Sequence, residues 1–132
     1  ARKVPLGSIT VTKLVHQTLL VLTRDYSPRR MLDEAVNQAR PTCSSMLEFG
    51  TPQVAQAVAA AGRGIAVVSD DQRLGLQRLD IIGTRGALSI RLYAAWDREH
   101  HAAVAIEALA TRLSDYCVAR YGPQSAPRRP GT

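Results

Sequence analysis

The stretch from Ser45 to Asp71, SMLEFGTPQVAQAVAAAGRGIAVVSDD, constrains the fold more than any other part of the chain. Met46 to Phe49 is a short apolar run. Thr51 stands where a helix takes its N-cap, and Pro52 follows at the first helical position, where its missing N–H costs nothing. Val54, Ala55, Val58, Ala59 and Ala61 recur at helical spacing. Gly62 falls where a helix end favours a residue that tolerates positive φ. Gly64 to Val68 is then a β-rich run with no polar alternation, as in parallel strands covered on both sides. The unit reads as strand, helix, strand with a right-handed crossover. Ligands of open parallel sheets gather at the carboxyl ends of the strands, beside helix N-termini. Here those ends are Phe49-Gly50-Thr51 and Val68-Ser69-Asp70.

A second unit of the same kind lies upstream. Leu19 to Leu22 is a buried strand, and Thr23 to Ser27 leaves its carboxyl end. Ser27 is the expected N-cap, with Pro28 at the first helical position. Met31, Leu32, Ala35, Val36 and Ala39 make one helical face, which Pro41 stops. Two such units predict an α/β fold, a mostly parallel sheet with helices on both faces. A chain of 132 residues is one domain by length. Aromatic residues are scarce at 5%, so the core must be built from Leu, Val, Ile and Ala.

The remaining segments are less regular. Ala1 to Gly7 reads as irregular, and Val11 with Leu14-Val15 reads as one turn of helix leading into the next strand. Asp71 suits the cap of a short helix within Gln72 to Gln77. Leu79 to Ile82 is a short strand, and Gly83 to Gly86 is a turn. Leu88 to Trp96 alternates apolar and polar residues at its start and reads as the longest strand. A long helix is expected from Glu99 or His100, with Ile106, Leu109, Leu113 and Tyr116/Cys117 on its apolar face. Gly122 to Thr132, rich in proline, reads as a disordered tail.

The formal charge of +6 does not make a nucleic-acid surface. Arg2, Lys3, Arg128 and Arg129 carry four of the surplus charges at the two ends, and no basic stripe interleaved with aromatics appears. No run approaches the ~18–20 apolar residues of a membrane span, and no secretory leader opens the chain. Cys43 and Cys117 are distant and fit reduced thiols in a cytoplasmic protein. His16, His100 and His101 form no metal cluster; the adjacent pair at the start of the last helix is expected to point in different directions. No nucleophile–base pair, phosphate loop or dinucleotide fingerprint is present, so neither catalysis nor a cofactor is expected. The two strand-to-helix turns remain. Their helix N-termini favour anions, Arg24 offers a fork for a carboxylate, and Tyr26 and Phe49 offer apolar walls. The plainest alternative is that Ser27 and Thr51 only cap their helices.

The stretch GTPQVAQAVAAAGRGIAVVSDD resembles the strand–helix–strand segment of LysR-type transcriptional regulators that carries Ala-Ala-Gly-x-Gly-Ile-Ala followed by hydrophobic residues. LLVLTRDYSPRRMLDEA resembles the first strand and helix of that family's second effector subdomain. Leu88 to Trp96 and the helix through Leu113 resemble its return strand and final helix. Ser69 stands where the family usually has Pro. The resemblance covers about Leu14 to Cys117. It implies a lobe of a periplasmic-binding-protein-like (type II) fold: residues 1–13 a leader, 14–87 the second effector subdomain, 88–121 the segment that completes the first, and 122–132 the tail. It further implies a small-molecule effector, an organic acid or aromatic metabolite, held in a cleft by Thr23, Arg24, Tyr26, Ser27, Phe49, Gly50, Thr51, Val68 and Ser69. Self-association as a homodimer or homotetramer is implied too, as is DNA binding only through a helix-turn-helix domain not visible in this sequence. A lobe of a transporter solute-binding protein is the competing reading.

Overall fold

The computed structural model describes residues 7–40, 42–43 and 45–128. The chain divides into two units, Ala1–Arg91 and Leu92–Thr132. In the first, the order of elements is β1 (Ser8–Thr10), α1 (Val11–Leu14), β2 (Thr18–Leu22), α2 (Ser27–Ala39), β3 (Ser45–Phe49), α3 (Pro52–Ala60), β4 (Ile65–Ala66), β5 (Asp80–Gly83) and β6 (Gly86–Ala87). The second holds α4 (Ala103–Tyr121) and a 3₁₀ turn at Pro123–Ser125.

Among the described residues, two three-stranded sheets form. One has the order β3-β2-β4, with β2 parallel to both neighbours. The other has the order β1-β5-β6, parallel between β1 and β5 and antiparallel between β5 and β6. The architecture is mixed α/β in two small sheets rather than one broad one.

The central strand β2 explains the layering. Its side chains alternate between the faces of the sheet. Leu19 and Val21 pack with Leu32 of α2, with Val67 and Leu14, and with Met46 and Ile65 at the margin. Leu20 and Leu22 pack with Ala55 of α3, and Tyr26, Phe49, Ala66 and Val68 surround them. One helix therefore covers each face of this sheet. Leu19, Leu20, Val21 and Leu22 are all at most 1% exposed, and each such burial is worth ~1.5–3 kcal/mol relative to exposure. A run with no polar alternation is what a doubly covered strand requires.

The glycines of the Ala-Gly-x-Gly segment have separate tasks. Gly62 takes φ +79° after α3. Its N–H donates to Ala59 and that of Arg63 to Val58, the paired closure of a Schellman end. Gly64 lies against β2: a Cβ there would stand 2.5 Å from the Thr18 carbonyl oxygen. That close approach lets β4 pair with β2.

Several expectations need correction. Within residues 1–13, expected to be an irregular leader, Ser8–Thr10 form a strand, while Val11–Leu14 form the expected helical turn; residues 1–6 and Pro41 lie outside the described residues. Leu88 to Trp96 is not a strand: pairing ends at Ala87, apart from Leu88 N–H donating to Ile81, and Leu92 and Tyr93 are 84% and 83% exposed. A strand exists only where a neighbour takes its N–H and C=O groups, and β5 ends at Gly83. Within Gln72 to Gln77 there is a tight turn, closed by Leu76 N–H on the Arg73 carbonyl, instead of a helix. Leu74 and Gly75 both have positive φ there. The last helix starts at Ala103, later than Glu99 or His100. In the tail, Pro123–Ser125 is ordered as a 3₁₀ turn, and 129–132 lie outside the described residues.

Candidate functional site

The parallel pairing puts the carboxyl ends of β2, β3 and β4 along one edge. Leu22 lies opposite Phe49, and Leu20 opposite Ala66, so continuing the register sets Val68 level with Leu22. Tyr26, Phe49 and Val68 share the α3 side of the sheet, packed around Leu20, Leu22 and Ala55. The Tyr26 hydroxyl donates to the Gly50 carbonyl at 3.1 Å, joining the β2–α2 and β3–α3 turns directly. Thr51 caps α3 in an extended conformation, and its hydroxyl accepts from Val54 N–H at 3.4 Å. Pro52 has no N–H, and the Val54 and Ala55 N–H groups are taken by the Thr51 hydroxyl and carbonyl, which leaves Gln53 N–H and the Thr51 O–H as the donors at this end of α3. Gly50, Thr51 and Ser69 are exposed, and Thr23 is half-buried at the end of β2.

Two of the expected residues stand apart. Ser27 does not cap α2; Tyr26 occupies the N-cap position without a side-chain bond to the helix, and Ser27 is the first helical residue. The cause is Arg30. Its guanidinium donates to the carbonyls of Arg24 and Asp25, both at 2.9 Å, and to Ser27 Oγ at 3.1 Å. Arg30 thus closes the turn that Ser27 was expected to close. Arg24 points to the α2 side, where its Nε lies 3.8 Å from Asp33 Oδ2 with the side chain 79% exposed. Arg24 is therefore separated by the sheet edge from the Tyr26–Phe49–Val68 group.

An ion network centred on a buried arginine lies beside Arg24, and sequence reasoning missed it. Arg29 is 8% exposed. Its Nη1 donates to the Leu22 carbonyl at 2.9 Å and to Glu48 Oε2 at 2.8 Å. Its Nε donates to Asp33 Oδ1 and Oδ2 at 3.0 and 3.2 Å. Burial disfavours the charged guanidinium, but hydrogen bonds to Glu48 and Asp33 and attraction to both carboxylates outweigh it and raise the pKa above the ordinary arginine value. One side chain thereby ties the end of β2 to β3 and α2. Signals for it existed: Arg29 and Asp33 have i,i+4 spacing, and Glu48 interrupts the apolar run of β3 on the face it shares with Val21. A groove of ≈ 820 Å³ runs past this network, lined by Arg24, Arg29, Arg30, Asp33 and Met46 among others.

Gln56 is the second omission. It is 3% exposed in an otherwise apolar stretch of α3. Its Nε2 donates to the Asp71 carbonyl at 3.2 Å and its Oε1 accepts from Arg73 N–H at 2.8 Å. The loop after Ser69 is therefore fastened to the same helix whose N-terminus carries Thr51. Asp71 serves here through its carbonyl and does not cap a helix.

Elsewhere, His100 and His101 stack, with ring centroids 4.3 Å apart, and do not diverge, because they occupy a turn before α4 and not the helix itself. Cys43 and Cys117 are free and half-buried. Among the described residues, no group of three or more His, Cys, Asp or Glu is placed to hold a metal, and no helix is long and apolar enough to cross a membrane. The arrangement can bind through donors and apolar walls.

Neither the curated proteins nor the solved structures give a match. A family model described as the LysR substrate binding domain matches residues 3–118, which takes in both strand-to-helix turns, Gly62 and Gly64. With nearly all of its length matched, the chain belongs to the LysR substrate-binding-domain family.

Proposed function

We propose that this chain is the effector-sensing part of a LysR-type transcriptional regulator, regulatory and not catalytic. It would take a small organic acid or aromatic metabolite at the carboxyl edge of β2, β3 and β4. The observation that carries this reading is the direct joining of the two turns by Tyr26 and Gly50, beside the free end of α3. The Gln53 N–H at the start of α3 and the Thr51 hydroxyl would meet a carboxylate, and Tyr26, Phe49 and Val68 would wall its apolar part. Thr23, Gly50 and Ser69 would line the rim, with Ser27 at the start of α2. Arg24 would join only after turning away from Asp33, its neighbour at 3.8 Å. So exposed and long a contact is worth at most ~1 kcal/mol, little enough for a ligand carboxylate to displace.

In this reading the chain forms one lobe of a type II periplasmic-binding-protein-like fold, and α4 belongs to the segment that completes the other lobe. Effector binding shifts the balance between arrangements of the lobes. That coupling, of the order of 1–3 kcal/mol, reaches DNA through a helix-turn-helix domain outside this sequence, in a cytoplasmic homodimer or homotetramer. The test is an amide chemical-shift titration with a panel of small organic acids, benzoate among them. Binding that moves Gly50, Thr51 and Tyr26, and that weakens in Thr51→Ala, supports the proposal. Saturable binding mapped elsewhere defeats it.

A further inference from the structure

The N-terminus of α4 is held in an unusual way. The N-cap position is Ala102, which has no side chain able to cap, and the first turn of the helix holds no acid. The work falls to the residue two before it. His100 Nδ1 accepts from Ala102 N–H at 3.1 Å, and the His100 carbonyl accepts from Ala103 N–H at 2.9 Å. His100 is itself fixed from behind: its N–H donates to the Asp97 carbonyl at 3.1 Å, while Asp97 Oδ1 accepts from Glu99 N–H at 2.9 Å. The His101 ring lies against it, with 29° between the planes.

We infer that His100 is a pH-dependent cap for α4, made by the neutral imidazole and broken when the ring takes a proton. The chemistry is restrictive. Only an unprotonated Nδ1 can accept from Ala102 N–H. A proton there replaces the bond by two N–H groups facing each other, and it puts positive charge at the positive end of a helix dipole. A second imidazolium stacked on the first adds repulsion. The other charged and titratable groups on this turn and the first turns of α4 are Asp97, Arg98, Glu99, His101 and Glu107. Negative charge on Asp97 and Glu99 suits the start of a helix, whereas Arg98 and a charged His101 add positive charge there. Imidazole changes charge within pH 5–8, so the first turn of α4 is closed on the alkaline side and frays on the acid side. Val104, 85% exposed on that turn, changes its presentation with it.

Amide exchange and resonance positions of Ala102, Ala103 and Ile106, the bonded amides at this helix start, followed by NMR from pH 8 to pH 5 alongside the His100 and His101 ring protons, test this. In the native chain, protection of these amides, corrected for intrinsic exchange, falls by about fivefold, the size of a typical lost cap. The midpoint coincides with that of the His100 ring. In His100→Asn, an uncharged acceptor at every pH, the change disappears, and in His101→Asn it persists. A first turn whose protection is constant over this range overturns the inference, as does a change that survives in His100→Asn or is abolished by His101→Asn.

Discussion

Replacing Arg29 by methionine removes the guanidinium but keeps most of the aliphatic stem, so the cost reads the network and not a cavity. Three acceptors lose their donor: the Leu22 carbonyl, Glu48 and Asp33. The carbonyl sits at the buried end of β2 and is the expensive loss, ~1–3 kcal/mol for a buried group left unpaired. The carboxylates differ from it. Glu48 has a side chain 56% exposed and Asp33 one 31% exposed, so both recover water, and each pair adds no more than ~1 kcal/mol. The sum is about 1–5 kcal/mol, large against the ~5–15 kcal/mol of a typical domain. Urea unfolding followed by circular dichroism should show the midpoint falling by roughly 0.5–2.5 M for a slope of ~2 kcal/mol/M. Arg29→Lys should recover less than half of the loss, since one ammonium cannot reach the acceptors in a fork. The sign of the pH dependence follows from the raised pKa: the contribution is complete below the ordinary arginine value and is lost only above it. The arginine's own titration therefore leaves the deficit of Arg29→Met flat from about pH 6 to pH 10. A deficit below ~0.5 kcal/mol, or a lysine variant as stable as the native chain, would refute the claim that Arg29 fastens the strand ends.

Other outcomes follow from the packing. Gly64→Ala should destabilise by about 2–3 kcal/mol, because its Cβ meets the Thr18 carbonyl at 2.5 Å and backbone cannot yield as a side chain does. Gly62→Ala, with only its φ of +79° against it and open space around the Cβ, should cost about 1 kcal/mol; thermal unfolding of the pair checks the order. Leu20→Ala should cost ~2–5 kcal/mol by opening the β2–α3 layer, measured by the same urea titration. Gln56→Leu should cost ~1–2 kcal/mol and raise amide exchange at Arg73, whose N–H loses its acceptor, while leaving Tyr26 and Gly50 unchanged.

The sequence makes the strand-to-helix units legible because their signals are local. Thr51-Pro52 starts a helix and Gly62 ends one wherever they stand, and β2 is apolar at every position because a helix covers each face. What escapes is what depends on partners distant in the chain. Leu88 to Trp96 has the alternation of a strand but no neighbour to pair with beyond Ala87. Ser27 has the chemistry of a cap, but Arg30 engages its hydroxyl and the carbonyls before it. Arg29 is legible as half of an i,i+4 pair, while its burial depends on Glu48, nineteen residues away on an adjacent strand. Proximity in sequence groups Arg24 with Tyr26, whereas its guanidinium lies near Asp33 of α2.

The most direct test of the central claim is an amide chemical-shift map of ligand binding by this chain, using the panel of small organic acids. Saturable shifts are expected at Thr23, Tyr26, Gly50, Thr51 and Val68, lost or weakened in Thr51→Ala. Saturable binding confined to the groove along α2, around Met46 and Asp33, would contradict it, as would no binding by any acid at millimolar concentration.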